Sequence, residues 1–399
     1  MPFPHVRPSR KRLRRIPEAS LLAVAWGLLA CPQDIEVGAE DAGGTAVVDT
    51  GARFDLGVSG DVGAPTDGGA DAAVEGDLGP SDGGEADGGV GMDAGSSAST
   101  APLQFRRLNA VLAGAPSAIH GVAPGIAWVG TQNGNLYLVN DGVVSERLWH
   151  EPSNFSISAI DHVGNRIYVA STGALHVFDG LIQPTFSRTI TVNRRDIYGL
   201  AAMDLDAVYM VGHGSQGAFV ATWDGSRVVE SSITSVAGLY GVTKAGSEAL
   251  LAGHGTILSD DGTGLLEECI TEPPLVTLSN VAFEGFARYG AGFLVYGSAH
   301  WVAEKTPNGC WEVLMTPSAD EEAFRAGFGL GTLATKEAWL VSLDGKVRRV
   351  LDGRVESHDL PTAARIRVYA GDSAGPNQAY LGGVVPGGSG EPALLRGTR

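Results

Sequence analysis

Short apolar runs closed by a small residue recur along the chain: "AWVGT" from Ala127, "IYVAS" from Ile167, "VYMVG" from Val208, "ALLAG" from Ala249, "FLVYG" from Phe293, "AWLVS" from Ala338 and "AYLGG" from Ala379. Their starts are 40, 41, 41, 44, 45 and 41 residues apart. Runs that are apolar at consecutive positions, without polar alternation, predict strands buried on both faces. Each is followed by a second strand that ends in a turn pair: Asp141-Gly142, Asp179-Gly180, Asp224-Gly225, Asp261-Gly262, Asn308-Gly309 and Asp352-Gly353. Such pairs tolerate the positive φ angles of type I′ hairpins and lead into outer strands. Among those outer strands, "LIQPTF" carries Pro184, which an edge strand accommodates.

A strand-rich unit repeated at this period is a propeller blade of four strands, and it is longer than the ankyrin or TPR repeat. The seventh copy reaches "EPALLRGTR" and then has no residues left for an outer strand. At the other end "PLQFRRL", Pro102 to Leu108, alternates like an outer strand and has no partner of its own. Pairing the two closes a ring and removes the open sheet edges that invite aggregation. Residues 101–399 are therefore expected to form one all-β domain: a seven-bladed β-propeller of four-stranded antiparallel blades, its N-terminal strand closing the last blade.

Composition divides the 399 residues into three parts. Residues 1–31 hold six Arg or Lys against Glu18, and residues 32–100 hold fifteen acids against Arg53. The remainder has 28 − 7 = 21 bases and 45 − 16 = 29 acids, a mildly acidic balance that excludes nucleic acid as a partner. The middle part, typified by "APTDGGADAAVEGDLGPSDGGEADGG", is too poor in large apolar side chains to offset the entropy of ordering and is read as a disordered acidic linker. Its "D-x-D-G" fragments lack the closing Glu and flanking helices of a calcium loop.

In the first part a basic stretch precedes "ASLLAVAWGLLA", Ala19 to Ala30, which is short for a bilayer span and right for the core of a signal peptide. It ends in "LLAC", which resembles the lipobox of bacterial lipoproteins, where the cysteine is acylated. The resemblance implies lipidation of Cys31 and a lipid anchor in the bacterial cell envelope. The pattern of strand, Gly, short turn, strand and Asp-Gly over residues 101–399 resembles the degenerate blades of bacterial secreted propeller lipoproteins, related to BNR and YCF48-like repeats. That resemblance implies fold and location rather than activity, because propellers host unrelated functions.

Candidate chemistry is sparse. The nearest approach to an Asp-box, "SDDGTGLL" from Ser259, departs at the Gly, Thr and aromatic positions and is read as a hairpin turn. His213 and His254 stand five residues after their repeat starts in "GHGS" and "GHGT", but the equivalent positions Gln132, Thr172, Ser298, Leu343 and Val384 supply no third metal ligand. No catalytic residue, metal or cofactor is assigned on this basis. Cys269 and Cys310 can pair in an oxidising compartment, yet both are placed on outer strands of different blades, where a separation beyond about 7 Å forbids a bridge, and the two alternatives stay open. The aromatic column Trp128, Tyr168, Tyr209, Trp339 and Tyr380 is read as interblade core.

The expected function is a membrane-anchored platform, non-enzymatic, that binds a protein or glycan on one propeller face. A polysaccharide-acting hydrolase or lyase with channel-lining catalytic residues and an envelope assembly factor that docks peptide segments are the alternatives. The two long repeat spacings fall at 270–286 and 316–331, so the face bearing those links, with His213, His254, Asp320, Glu321, Glu322 and the turn 384–392, is the expected binding side. Cys31→Ser is expected to leave the folded domain intact and to move the protein from the membrane to the soluble fraction, because acyl burial contributes about 0.8 kcal/mol per CH₂ and nothing else in the chain inserts. Undiminished membrane association of that variant would remove the lipoprotein assignment.

Overall fold

The computed structural model describes residues 101–193, 196–271, 278–306, 309–315, 322–330, 335–387 and 390–399. Cys31 and the linker lie outside the described residues. Seven sheets, antiparallel apart from one short added edge strand, follow one another around a central channel. Their innermost strands are Pro116–Ala123, Ile157–Val163, Asp196–Asp204, Leu239–Ala245, Phe283–Tyr289, Phe324–Gly329 and Arg367–Ser373, for blades 1 to 7 in turn. The recurring apolar phrases form the second strand of each blade, as in Ile126–Thr131, Arg166–Ser171 and Glu337–Ser342, and are buried almost throughout.

The core is seven clusters, one at each interface between adjacent blades. Trp128, Tyr168, Leu250, Leu294, Trp339 and Tyr380 are essentially fully buried in them, and Tyr209 is half-buried. Three of these aromatics also clasp the next blade through their polar tips. Trp128 Nε1 donates to Leu181 O at 3.1 Å, Tyr380 OH donates to Gly125 O at 3.0 Å, and Tyr168 OH donates to Leu205 O. Apolar area holds each interface, and these bonds fix its rotation.

Ring closure is as the sequence pattern requires. Gln104–Arg107 pairs antiparallel with Pro392–Thr398, from Gln104↔Thr398 to Arg107↔Leu395, and completes blade 7. Leu103 and Phe105 are buried in the cluster between blades 6 and 7, where Phe105 meets Trp339 edge-to-face at 6.5 Å. The same interface holds a buried ion cluster: Glu337 Oε1 accepts from Arg349 Nε at 2.9 Å, Trp339 Nε1 at 2.8 Å and Arg399 Nη2. Burial pushes the Glu337 carboxyl up, but the Arg399 and Trp339 hydrogen bonds and the two guanidinium charges outweigh it and hold it below the usual range.

Three local expectations are corrected. Among the pairs described at both residues, only Asp141-Gly142 and Asp352-Gly353 have positive φ at both, as type I′ requires, and Asn308 lies outside the described residues. At Asp224 and Asp261 the side chain makes its own turn instead: Asp224 Oδ1 accepts from Ser226 N at 3.0 Å and Arg227 N at 2.9 Å, and Asp261 Oδ1 from Thr263 N at 2.9 Å. Pro184 precedes its outer strand, Thr185–Thr191, rather than lying inside it. Finally, Cys269 and Cys310 do not lie on outer strands of different blades, and of the two alternatives left open the bridge is the one formed, with Cα atoms 4.5 Å apart. After Leu265–Glu267, the outer strand of blade 4, the chain runs to the edge of blade 5, where Ile270–Thr271 pairs parallel with Trp311–Met315 as a fifth strand. Both cysteines thus belong to one sheet edge.

Deleting Pro102–Leu108 is expected to lower the thermal midpoint by about 10 °C or more, because it exposes the edge of blade 7 and removes buried Leu103 and Phe105 side chains. Deleting residues 40–95 is expected to leave the midpoint unchanged. Equal midpoints for the two truncations and the parent chain would contradict this account of closure.

Candidate functional site

All seven innermost strands begin with the same irregularity. The tripeptides Pro116-Ser117-Ala118, Ile157-Ser158-Ala159, Ile197-Tyr198-Gly199, Leu239-Tyr240-Gly241, Phe283-Glu284-Gly285, Phe324-Arg325-Ala326 and Val368-Tyr369-Ala370 each carry a register shift, with the middle residue unpaired in the ladder. The first residue is buried and anchors the strand in the interblade core. The third is Gly or Ala, because neighbouring innermost strands converge there: a Cβ on Gly241 would lie 2.7 Å from Gly285 Cα. The middle residue is a bulge, re-aimed out of the sheet, and in every blade it is at least partly exposed. Since all seven strands start from the same face, these residues form a ring where the channel opens on the face that the chain enters.

The ring is chemically asymmetric. Tyr198 and Tyr240, from blades 3 and 4, stack with centroids 5.9 Å apart, and Tyr198 is 41 % exposed. Beside them Glu284 of blade 5 and Arg325 of blade 6 form an ion pair at 3.2 Å. Burial raises the Glu284 carboxyl above its usual range despite the opposing charge of Arg325. Tyr369 of blade 7 follows, and the remaining sector is small and polar: Ser117 Oγ donates to Ile157 O at 2.6 Å. One side of the mouth thus offers aromatic faces and a charge pair, and the other offers room.

Further along the same strands, blades 7, 1 and 2 place titratable side chains where the others carry Ala201, Thr243, Ala287 and Phe328. His120, Asp161 and Asp372 stand opposite Trp128, Tyr168 and Tyr380 in the ladder. His120 Nε2 is 2.7 Å from His162 Nδ1 and 3.4 Å from Asp161 Oδ1, and His120 Nδ1 is 3.3 Å from Asp372 Oδ2. The carboxylates also hold the next blade: Asp372 Oδ2 accepts from Gly121 N at 3.0 Å, and Asp161 Oδ2 from Ala202 N at 2.8 Å. Burial pushes His120 down, but the Asp372 and Asp161 carboxylates outweigh it and raise its affinity for a proton. Burial and the charge on His120 lower His162. The two rings, in contact at 2.7 Å, therefore differ in proton affinity, His120 above and His162 below the ordinary histidine range.

Several residues singled out in the sequence are elsewhere. His213 is exposed and its Nδ1 donates to Ala237 O at 2.8 Å. His254 forms a backbone bridge to Ala282 and lines a cleft of about 640 Å³ with Ala237, Glu268 and Leu278. Among the described residues, the group whose ligand atoms converge is His120, Asp161 and His162, not this pair. Glu322 is exposed just ahead of the innermost strand of blade 6, while Asp320 and Glu321 lie outside the described residues. Part of the long link into blade 5 is structural, since it supplies Ile270–Thr271 to the sheet and buries Leu278 and Val281 in the core. Neither the mouth ring nor the His–Asp cluster was singled out in the sequence. The signal for the ring is the repeated apolar, variable, small tripeptide. For the cluster it is a charged residue seven or eight places before an aromatic of the column.

No family model matches the chain, and no curated protein matches it. Solved structures do. The WD40 repeats of RRP9 align with a TM-score of 0.57 at 12 % identity, over 74 % of this chain and 98 % of that one. YCF48 bound to D1 peptide aligns with a TM-score of 0.55 at 13 % identity, over 75 % and 98 %. YCF48 from Cyanidioschyzon merolae gives 0.54 at 10 %, over 73 % and 98 %. At such identities the likeness shows the fold: a seven-bladed β-propeller.

On the same face, between blades 1 and 2, His176 lines a second cleft with Phe155 and Thr189. Its Nε2 meets Ser171 Oγ and its Nδ1 meets Thr189 Oγ1, each at 3.0 Å. Burial lowers its pKa to about 4. The unfolded chain, with a histidine near 6.5, therefore binds the proton first, so the stability contributed by neutral His176 is complete above pH 6.5 and is lost as pH falls toward 4. At pH 5 the wild type is expected to take up about one more proton on unfolding than His176→Gln. Parallel slopes of stability against pH for the two proteins would show that His176 is not held neutral.

Proposed function

We propose that the protein is a lipid-anchored component of a bacterial envelope whose propeller is a non-enzymatic platform, and that the ring at the channel mouth receives a segment of a protein partner. The observation that carries the reading is the ring itself: seven bulges aim one side chain each at the opening, and five of those side chains are Tyr, Glu or Arg. Stacked tyrosines give rigid contact area at little entropic cost, and an Arg–Glu pair can exchange its partner for a backbone or terminal charge. A protein partner also agrees with the similarity to a propeller solved with a peptide bound. The basic leader, its apolar core and Cys31 support the anchor, and the acidic linker would hold the propeller away from the bilayer.

The polysaccharide-cleaving alternative needs a general acid and a second carboxylate with freedom to act. Glu284 is held by Arg325, and Asp161 and Asp372 are engaged with backbone amides and with His120. The geometry therefore favours binding.

A displayed library of random peptides panned against the wild-type propeller is expected to enrich a common sequence pattern. Tyr198→Ala/Tyr240→Ala is expected to weaken the enriched peptides by 10-fold or more while the melting midpoint is kept, because both residues lie outside the interblade core. Charge changes at Asp179 and Asp352, on the turns of the opposite face, are expected to be neutral. Equal weakening by the two sets, or no enrichment by the wild type, would count against the mouth as the binding site.

A further inference from the structure

We propose that His120, His162 and Asp161 form a binding site for one divalent late transition metal ion, of the class of Zn²⁺, inside the channel. The three side chains come from the innermost strands of blades 1 and 2, and their ligand atoms all lie within 4.8 Å of one another. Zinc takes imidazole nitrogen at about 2.0–2.1 Å and carboxylate oxygen at about 2.0–2.2 Å, so donors around a tetrahedral ion stand roughly 3.3 Å apart. His120 Nε2 and Asp161 Oδ1 are already 3.4 Å apart. The two imidazole nitrogens, at 2.7 Å, need to separate by roughly 0.6 Å, and because the ring centroids are 5.0 Å apart their lone pairs face each other, so each ring must turn by roughly 35° to converge on the ion.

The surroundings are those of a supported site. The far nitrogen of His120, Nδ1, faces Asp372 Oδ2 at 3.3 Å, which sets the tautomer that leaves Nε2 for the ion. Asp372 is itself fixed by Gly121 N at 3.0 Å and Ser373 N at 2.7 Å. Asp161 is fixed by Ala202 N through Oδ2 and by His162 N through Oδ1 at 2.8 Å, which leaves a lone pair on Oδ1 for coordination. All of these groups are on strands rather than loops, so the backbone that carries the donors is held in place by the ring and only the two imidazoles need to turn. His120, Asp161 and Asp372 keep 17 %, 24 % and 28 % of their side-chain surface exposed, so an ion can enter from the channel. Two nitrogens and one carboxylate oxygen leave a fourth position for water or a donor from a bound molecule. The imidazole pair selects zinc, copper, nickel or cobalt over calcium and magnesium, which prefer all-oxygen sites.

The test is isothermal titration of the untagged full chain with Zn²⁺ at pH 7.5, with Co²⁺ as an optical probe of the same site. The wild type is expected to bind one equivalent of Zn²⁺ with a micromolar or tighter Kd, and the Co²⁺ form to show the visible absorption of a four-coordinate nitrogen–oxygen site. His162→Gln and His120→Gln are expected to weaken this by at least 100-fold, and Asp372→Asn, which alters only the supporting carboxylate, by 10- to 100-fold. Metal-free melts separate loss of fold from loss of ligand. If His120→Gln does not fold, His162→Gln carries the decision, because its main-chain pairing to Ile167 does not depend on its ring. Wild-type protein that binds no stoichiometric Zn²⁺ at micromolar concentration would overturn the proposal. So would a folded His162→Gln that binds as tightly as wild type, which would place the ion on another histidine such as His213 or His254.

Discussion

A ring of wedge-shaped sheets has no stable partial form that hides all its edges, and here one short pairing supplies the last one. Gln104–Arg107 enters the sheet of Pro392–Thr398, so that blade 7 is built from both ends of the domain. That pairing seats Leu103 and Phe105 between blades 6 and 7 and brings Arg399 to buried Glu337. The interface that joins the two ends is therefore apolar, hydrogen-bonded and ionic at once. With it in place, all seven interblade clusters have two walls.

Closure also dictates what can stand around the channel. Where innermost strands converge, only Gly or Ala fits, as at Gly241 beside Gly285. The bulge just before that small residue frees one side chain per blade from the packing rule that governs its neighbours. Those seven positions can vary without disturbing the ring, and they hold Ser, Ser, Tyr, Tyr, Glu, Arg and Tyr. Deeper along the strands the rule relaxes in another way: His120, Asp161 and Asp372 bring three titratable groups from adjacent blades together around the channel, with His120 within 3.4 Å of both carboxylates. The scaffold is thus repetitive where it packs and individual where it faces the channel.

Much of the architecture was legible because strand burial and turn chemistry are local. The runs beginning at Ala127 and Ala338 are apolar because both their faces are covered, and Gly142 or Gly353 follows a residue that must turn with positive φ. Blade 7's missing strand was visible as an imbalance between the two ends of the repeat. The site was not legible for the opposite reason. Tyr198, Tyr240, Glu284 and Arg325 are brought together by the ring, not by sequence neighbourhood, and a bulge leaves no mark on hydrophobic periodicity beyond one exposed residue. His120 and Asp372 are 252 positions apart, as 372 − 120 shows, and they meet only because blade 7 adjoins blade 1. Cys269 was misplaced because the chain leaves blade 4 early and lends two residues to blade 5, an exchange that the repeat period conceals.

The pairing of Gln104 with Thr398 also sets an order of events for any chain that crosses a membrane N-terminus first. Blades 1 to 6 have their own strands in sequence and can form one after another as they emerge, and the Cys269–Cys310 bond needs a loop of only 41 residues. Closure must wait for the last residues of the domain, so the first strand to arrive is the last to find its partner. Throughout that interval Phe105 is uncovered and the faces of blades 1 and 6 that will adjoin blade 7 stand open. The vulnerable species is then a nearly complete arc, whose two ends offer the same unpaired edges to another copy as to each other. Tethering each molecule singly would favour the internal partner, because the competing reaction depends on how many unfinished arcs share the same volume.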